Sequence, residues 1–396
     1  MPYFKKIDVL LLVEHPAREL EFCQQFQKQN DELKIEIKSL YFDILEIVRF
    51  VPKVVILPYS YYPPETWPYD FLLNYYDWET LYISINWEQY IFPFTKTYKV
   101  PKPTKRKIRQ CWWLNEYKEL LLKNNYLEDD LISIRDPHIK KYYDRDLKKP
   151  MDLLGKYRKD FDKIIFCPVN FAWYFQNQKF IDLRIKGGLH PNDAKALLND
   201  LNLQMQFWIK TIKEFSHITK KIAFIVRPHP SVDPARWEAI IKDNKLLNTF
   251  VETEGTAEDW AVSADLIVSN YSTVISYSNQ VGLNSFILRE KPLIDQINSN
   301  WLKNLPTLSN ANEIVHALDT PKIATGLSSI VSSSYTRIEL LKNTDLYISP
   351  SHPRLSSVVK FLFNKTAFKH LLLSLGIYRK ASIERDRFKS ESKSNL

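Results

Sequence analysis

The sequence predicts an α/β protein with two domains, each containing a parallel sheet. Short apolar runs typical of buried strands alternate with helical patterns along most of the chain, as parallel sheets with helical crossovers require. The length of 396 residues exceeds what one hydrophobic core comfortably supports. A charge-dense stretch carrying KKYYDRDLKKPMD has the composition of a linker, which we place at residues 141–163.

The first half alternates between the two patterns. Its predicted strands cover residues 7–13, 34–40, 54–57, 80–85 and 131–134. Its predicted helices cover residues 17–29, 42–50, 71–76 and 115–124. Residues 93–115 carry seven Lys/Arg and no acid, so an exposed loop is predicted there. The first domain is therefore expected at residues 1–140.

The second half repeats this organisation. Its predicted strands cover residues 161–167, 222–226, 266–268 and 285–288. Its predicted helices cover residues 193–216, 237–243, 311–318 and 337–343. The second domain is expected at residues 164–350, followed by an amphipathic helical segment at 351–380 and a charged, disordered tail at 381–396.

Composition narrows the possible functions. With only seven glycines and neither GxGxxG nor GxxxxGK[ST], the chain lacks a glycine-rich phosphate loop. Cys23, Cys111 and Cys167 have neither metal-ligand nor disulfide spacing, which favours a reducing cytoplasm. The N-terminal apolar run ends at Glu14-His15 without a cleavage site, so it is interpreted as a strand and not as a signal peptide. No apolar run is long enough to predict a transmembrane helix.

Positive charge is concentrated at the C-terminus. Residues 354–396 carry ten Lys/Arg and three acids, while the whole chain has a net charge of +9. The nearly neutral body does not favour nucleic-acid binding. Within 351–380, lysines alternate with apolar residues as in a helix that lies on an anionic membrane surface. A terminal helix packed across both domains would show the same pattern, so both interpretations stay open.

Arg227-Pro228-His229-Pro230 follows the predicted strand at 222–226. A guanidinium is a planar fork of donors suited to phosphate, and an imidazole can bind phosphate or ribose. The two prolines restrict the backbone around the imidazole. Ligands of open α/β sheets bind outside the carboxyl ends of strands, so the position fits a binding site. The alternative is a stiff strand exit with a surface arginine.

A second polar cluster follows the strand at 266–268 and leads into a helix. Its members are Ser269, Asn270, Tyr271, Ser272 and Thr273. The hydroxyls and the first N–H groups of the helix can hold a phosphate without glycines. Helix capping alone also explains a serine or threonine here, and the two roles are compatible. Asp259, in the preceding helix, either faces the same site or is solvated.

The first half offers carboxylates at strand exits. Glu88 follows the strand at 80–85 within the turn NWEQ, and Glu14 and His15 follow the first strand. Aromatic neighbours can raise the pKa of a carboxylate, which suits a general base or a nucleophile. A surface carboxylate needs no such role, so that alternative stays open. Weaker candidates are His138, which follows Asp136-Pro137, and Arg18 and Glu19, which open a helix.

The motifs RPHP and SNYSTVISYSNQVG together resemble bacterial GT-B glycosyltransferases of surface-polysaccharide synthesis, as in capsule and lipopolysaccharide. The opening LLLVEHPARELEF, the strand VVILPY and the turn NWEQ are similar to the group called surface carbohydrate biosynthesis proteins. The likeness to CDP-glycerol glycerophosphotransferases and to Kdo or sialic acid transferases is more distant. The resemblance spans about residues 7–290. It implies two Rossmann-like domains whose parallel sheets face each other across a cleft.

The resemblance also implies site residues. An HP motif and a serine motif hold the cytidine nucleotide in the Kdo and sialic acid transferases, and here they correspond to His229-Pro230 and Ser269 to Thr273. Together with the residues at the strand exits, this gives Glu88 and His229 as the predicted catalytic residues. The predicted donor-binding residues are Arg227, His229, Pro230, Ser269, Asn270, Tyr271, Ser272 and Thr273. The acceptor-side candidates are Glu14, His15, His138 and Asn170.

The chain departs from the resembled pattern in two places. IRDPH replaces a Gly-Asn-Pro-Arg type of turn, and PVNF only partly matches an Asn-Thr-Asn-Phe loop. No DxD constellation stands out, so neither a metal nor a cofactor is expected. Arginine, hydroxyls and a helix terminus would stabilise the leaving phosphate instead.

The implied activity is transfer of a sugar or polyol phosphate from a nucleotide-activated donor, CMP- or CDP-linked, to a cell-surface polysaccharide or glycolipid. The expected location is the cytoplasm, peripheral on the inner face of the plasma membrane. One alternative is an epimerase of the UDP-sugar 2-epimerase type, which shares this architecture. A second alternative is a non-catalytic binding protein of envelope assembly, recruited by the basic tail.

Overall fold

The computed structural model describes residues 4–60, 69–76, 79–95, 100–101, 103, 108–139, 142, 149–186, 188–218 and 221–319. They form two compact units. The first unit contains the described residues of 4–89 and 100–135, and the second unit contains those of 90–95 and 136–319.

The first unit is a six-stranded parallel sheet with helices. Its strands are β1 (Lys5–Val13), β2 (Ile35–Ser39), β3 (Phe50–Leu57), β4 (Leu81–Ser84), β5 (Ile108–Trp112) and β6 (Leu131–Ser133). They lie in the order β2-β1-β3-β4-β5-β6, and all neighbours are parallel. Its helices are α1 (Pro16–Gln29), α2 (Ile44–Ile47), α3 (Tyr69–Tyr75) and α4 (Asn115–Lys123).

The second unit has another six-stranded parallel sheet. Its strands are β7 (Lys163–Val169), β8 (Ile222–Pro228), β9 (Thr249–Val251), β10 (Leu266–Ser269), β11 (Ser285–Leu288) and β12 (Thr307–Leu308), in the order β12-β11-β10-β7-β8-β9. Its helices are α5 (Lys149–Arg158), α6 (Gln178–Lys186), α7 (Pro191–Ile218), α8 (Pro234–Asp243), α9 (Ala257–Ser263), α10 (Thr273–Gln280), α11 (Asn300–Lys303) and α12 (Ala311–Asp319). The two sheets confirm the predicted fold class of two Rossmann-like α/β domains.

Apolar side chains cover both faces of the first sheet. Leu10 and Leu12 of β1 pack in one buried cluster, and Leu11 and Val13 pack in another. Successive residues of a strand point to opposite faces, so the buried part of β1, residues 9–13, must be apolar at every position to fill both layers. Continuous apolar runs therefore identified the central strands correctly.

The strand orders show where the direction in which successive strands are added to each sheet reverses. In the first unit, chain order proceeds outward from β1 to β2 on one side and from β3 to β6 on the other. In the second unit, β8 and β9 lie on one side of β7, and β10 to β12 lie on the other. Ligands of open α/β sheets bind at such reversals, outside the carboxyl ends of the strands. We call the two places the β1/β3 switch and the β7/β10 switch.

Several local predictions were wrong. The predicted loop at 93–115 contains β5, whose Ile108 and Cys111 are buried between β4 and β6. The basic run before β5 concealed this short strand. The predicted helix at 42–50 is only α2, because Phe50 already begins β3. The sequence analysis also missed α6, β9 and β12, which are short or have weak periodicity.

Two further regions bear on the predicted domain limits. The stretch predicted as a linker, 141–163, contains α5, which contacts α9 and β7 within the second unit. The predicted helix at 337–343, the amphipathic segment at 351–380 and the tail at 381–396 lie outside the described residues. Within the described part of the chain, no helix has the length and apolarity needed to cross a membrane.

Candidate functional site

The β7/β10 switch of the second unit is held together by two asparagines. The backbone N–H of Asn170 donates to Oδ1 of Asn270 at 2.9 Å, and Nδ2 of Asn270 donates to the carbonyl of Asn170 at 2.9 Å. The Asn270 side chain therefore satisfies both backbone groups of the residue that follows β7. This reciprocal pair fixes the ends of β7 and β10 side by side.

Ser269 contributes to the same framework. It is fully buried, and its hydroxyl donates to the carbonyl of Pro168 at 2.5 Å. The same oxygen accepts the N–H of Ser272 at 3.2 Å. Ser269 and Asn270, both predicted to bind the donor, thus shape the loop that carries the next residues.

Ser272 and Thr273 lie where the loop becomes α10. Ser272 is the N-cap, and its hydroxyl accepts the N–H of Val274 at 3.3 Å. Both side chains are half-buried at the helix N-terminus. A helix N-terminus carries a partial positive charge and N–H groups that point outward, so it favours an anion. Ser272 therefore caps the helix, and capping is compatible with anion binding at the same N-terminus.

His229 follows β8, the strand beside β7. Its Nδ1 accepts the backbone N–H of Ser231 at 3.2 Å and lies 2.8 Å from the Ser231 hydroxyl oxygen. A backbone N–H can only donate, so Nδ1 is an acceptor and the proton of the neutral ring is on Nε2. The imidazole is exposed, and Nε2–H is a directed donor at the carboxyl edge of the sheet.

The guanidinium group of Arg227 donates hydrogen bonds to backbone carbonyls of the protein. One terminal nitrogen donates to the carbonyl of Glu254 at 2.8 Å, and the other donates to the carbonyl of Gly255 at 2.7 Å. Gly255 has a φ of +66°, a conformation that side-chain-bearing residues rarely adopt. Arg227 therefore stabilises the turn before α9. There Thr256 and Asp259 form a capping box, which T-x-x-D in the sequence could have revealed.

Aromatic rings pack against the loop at residues 269–273, which we call the serine loop. Tyr271 is buried, with its ring centroid 5.5 Å from that of Phe92. Phe92 in turn lies 5.2 Å from Trp301, measured between centroids. Tyr271 was predicted to bind the donor, and the structure places it in the packing behind the loop. Pro230 is exposed beside His229.

His138 lies in the second unit, although the sequence analysis assigned it to the first domain. The imidazole is buried, with its centroid 5.1 Å from the Tyr277 ring on α10. Asp136 accepts the N–H of His138 at 2.9 Å. Burial raises the pKa of Asp136 to about 7, against the lowering effect of its backbone hydrogen bonds. This buried pair belongs to the second unit, whereas the β1/β3 switch belongs to the first.

The β1/β3 switch of the first unit is rich in charge. Glu14 directly follows β1, and its carboxylate accepts a hydrogen bond from the Tyr41 hydroxyl at 2.8 Å. The exposed His15 lies next to it, with Nε2 4.0 Å from Oε1 of Glu14. Glu19 in the first turns of α1 accepts the Glu14 N–H at 2.7 Å. The predicted pair Glu14 and His15 therefore lies at a ligand-binding position of the fold.

Glu88 is held by an arginine that the sequence analysis ranked low. Nη1 of Arg18 donates to Oε1 of Glu88 at 2.9 Å, and Nη2 donates to Oε1 of Glu19 at 3.3 Å. The guanidinium carbon lies 5.4 Å from the centroid of the Tyr59 ring, which follows β3. One cation thus connects the two carboxylates across the ends of β1, β3 and β4.

A buried amide network sets the turn that carries Glu88. Asn86 has a φ of 56°, and its Oδ1 accepts the Ser84 hydroxyl at 2.7 Å. Its Nδ2 donates to Oε1 of Gln110 at 2.9 Å. Gln89 donates to the carbonyl of Cys111 at 2.9 Å. These bonds join the ends of β4 and β5 and direct the chain through Glu88.

The structure brings the predicted residues into two groups, one in each unit. His229, Asn170 and the serine loop share the carboxyl edge of the second sheet, and Glu14, His15 and Glu88 share that of the first. Sequence reasoning undervalued Arg18 and Glu19. The signal was present, because both follow closely after a strand exit. Within the described residues, no group of three His, Cys, Asp or Glu side chains is placed to hold a metal ion.

Comparison with known proteins gives structural likeness alone. No protein-family model matches the chain, and no curated protein matches its sequence. The S. aureus MnaA–UDP structure is 10% identical, with a TM-score of 0.49 over 80% of this chain and 87% of that one. A UDP-N-acetylglucosamine 2-epimerase is 12% identical, with a TM-score of 0.48 over 94% and 97% of the two chains.

The wall teichoic acid polymerase TagF with CDPG is 11% identical, with a TM-score of 0.45 over 79% of each chain. All three TM-scores lie below 0.5.

Proposed function

We propose that the protein is a glycosyltransferase that uses a nucleotide-activated donor and needs no metal ion. The observation that carries the proposal is the chemistry of the β7/β10 switch. It combines the N-terminus of α10, the hydroxyls of Ser272 and Thr273, and the directed Nε2–H of His229 at one sheet edge. Each of these groups favours a phosphate. The rigid Asn170–Asn270 pair holds the edge in place before a ligand arrives.

The leaving group would be stabilised by these donors. When the bond between the transferred group and the terminal phosphate oxygen breaks, negative charge develops on that phosphate. The helix N-terminus supplies partial positive charge there, and the helix N–H groups, the two hydroxyls and the imidazole Nε2–H supply hydrogen bonds. The donor is a CMP- or CDP-linked sugar or polyol phosphate, a choice that rests on the motif resemblance.

The first unit would supply the base. Glu88 takes the proton of an acceptor hydroxyl as the acceptor oxygen bonds to the transferred group and the nucleotide leaves. Arg18 fixes the direction of the Glu88 carboxylate, and the amide network of Asn86 and Gln89 fixes its backbone. A polysaccharide or glycolipid of the cell surface is the acceptor class. The C-terminal segment would bind an anionic membrane at the inner face of the cell.

Nucleotide binding is tested by thermal shift with CMP, CDP, UMP and UDP. We expect a cytidine nucleotide to raise the melting temperature of the wild type, and we expect His229→Ala to weaken binding about tenfold, through loss of one hydrogen bond to a charged group. His190→Ala is the matched control, because this exposed histidine also accepts a backbone N–H through Nδ1, from Asn192 at 3.3 Å. If no nucleotide stabilises the protein, the proposal fails.

Epimerase activity is the second candidate, favoured by the carboxylates of Glu14 and Glu88 at the β1/β3 switch. Removing a proton from a sugar carbon and returning it requires an acid and a base, and Glu14 and Glu88 follow the strands β1 and β4 at this sheet edge. Product analysis with the nucleotide sugar alone separates the two, because an epimerase needs no acceptor. A purely binding role is excluded if Glu88→Gln abolishes turnover while nucleotide binding persists.

A further inference from the structure

Glu19 is a buried carboxyl group in the first turns of α1. Its side chain has no exposed surface, while that of Glu88 is 37% exposed. Oε2 accepts the Glu14 N–H and so connects α1 to the end of β1. Oε1 accepts from Arg18. Glu19 therefore holds the strand exit and one side of the guanidinium, but it is too enclosed to contact a substrate.

Arg18 is shared between an enclosed carboxyl group and an accessible one. Its two terminal nitrogens face Glu19 and Glu88 separately, and its plane packs near Tyr59. A guanidinium is planar and permanently charged, so the two contacts cannot change independently. Any change in the attraction between Glu19 and Arg18 changes the hold of Arg18 on Glu88.

Glu19 can change charge near neutral pH. Burial raises its pKa to about 7, against the lowering effects of Arg18 and of the Glu14 and His15 N–H groups. The titratable and charged groups around it are Glu14 at the end of β1, His15 in the turn, Arg18 and Cys23 on α1, Tyr59 after β3 and Glu88 after β4. Among these neighbours, Arg18 supplies the permanent positive charge.

We propose that Glu19 is a positioning residue that sets, through Arg18, how firmly Glu88 is held, and that proton uptake by Glu19 slows the reaction. The inference rests on the proposed role of Glu88 as the base. When Glu19 is ionised, Arg18 is shared, and Glu88 is available to take a proton. When Glu19 is protonated, its negative charge no longer offsets that of Arg18, so the attraction of Arg18 for the Glu88 carboxylate is stronger and competes with proton transfer.

The first experiment is the pH profile of transfer by the full chain between pH 5.5 and 8.5. The wild-type kcat should rise about tenfold through an inflection near pH 7. Glu19→Gln should abolish the inflection and keep the low rate throughout, with the KM for the donor unchanged. Glu19→Asp should restore a pH-dependent rise. Glu21→Gln on the same helix is the control and should keep the wild-type profile.

Two results would overturn the inference. One is an inflection that survives in Glu19→Gln. The other is a drop in kcat by the same factor at every pH in both Glu19→Gln and Glu19→Asp, which a merely structural role would produce.

The second experiment separates this inference from the proposed function. Nitrogen-15 NMR of the arginine side chains follows the Arg18 guanidinium directly, with its signal assigned by its loss in Arg18→Lys. In the wild type the signal should shift with a midpoint near pH 7, and in Glu19→Gln it should not. If turnover is never found but this shift occurs, the proposed function fails and the coupling stands. A wild-type Arg18 signal that does not change with pH refutes the coupling, even if Glu19→Gln does not fold.

Discussion

The two switches occupy equivalent positions in similar sheets but carry opposite chemistry. The β1/β3 switch holds Glu14, Glu19 and Glu88 around Arg18, so it can accept and release protons. The β7/β10 switch holds amides, hydroxyls, a helix N-terminus and the exposed His229 imidazole, and it has no carboxylate among these groups, so its donors favour an anion. The fold sets the two positions, and the few residues after each strand set the chemistry.

The switches also differ in how they are held together. At the β7/β10 switch, the Asn270 side chain binds the backbone of Asn170, so the contact is independent of pH. At the β1/β3 switch, side chains bind other side chains through charge, so the contacts change when a carboxyl group gains a proton. Substitutions whose effects on stability are independent of pH in one case and dependent on pH in the other therefore test this comparison directly.

The largest change in stability is expected for the substitution Asn270→Ala. It leaves the N–H and carbonyl of Asn170 without their partner, and each lost bond costs about 1–3 kcal/mol. We expect the free energy of unfolding in urea to fall by about 3 kcal/mol. Asn170→Ala is the matched control, because Asn170 contributes its backbone to the pair. Equal losses in the two variants would show that the pair does not hold the switch.

A smaller effect is expected from Asp136, the buried carboxyl of the second unit that lies outside the switch. Its folded pKa of about 7 is above its ordinary value, so the folded state binds the proton more tightly. The contribution of this tighter proton binding to the free energy of unfolding is complete below the pKa of Asp136 in the unfolded state, and it is lost as the pH rises through about 7. Asp136→Asn removes this dependence and keeps an acceptor for the His138 N–H.

The measurement for Asp136 is urea unfolding at pH 5.5 and 7.5. The variant should gain about 2 kcal/mol relative to the wild type at the higher pH, according to 1.4 kcal/mol for each pH unit. Asp295→Asn, at an exposed carboxyl, should show no such gain. A pH-independent difference between Asp136→Asn and the wild type would contradict the assignment.

The smallest effect is expected for Arg227→Lys. Lysine keeps the charge but cannot reach the carbonyls of Glu254 and Gly255 together, so the turn before α9 loosens at a cost of about 1 kcal/mol. Hydrogen exchange of the amides at 253–257 should accelerate, while nucleotide affinity stays unchanged. A large loss of affinity with unchanged exchange would instead place Arg227 on the ligand, as the sequence analysis predicted.

The sequence could predict most of the framework. Apolar runs located β1, β3, β7, β8 and β10, because a strand that is buried on both faces contains a continuous run of apolar residues. Polar clusters after these runs located both candidate sites, since the carboxyl ends of parallel strands are the ligand-binding edge. The strand β5 was missed because two of its five side chains, Arg109 and Gln110, are polar and because a basic run precedes it.

The sequence determined which chemical groups follow each strand, and the tertiary structure decided which of them face outward and which hold the framework. The order of the strands places Glu14 beside Tyr59 and Asn170 beside Asn270, and no local pattern shows that order. The same long-range pairing turned Arg227, Ser269 and Asn270 inward to satisfy backbone groups. It left His229, Ser272, Thr273 and Glu88 accessible at the two edges. Burial and hydrogen bonding depend on residues distant in the chain, so only the folded structure assigns these roles.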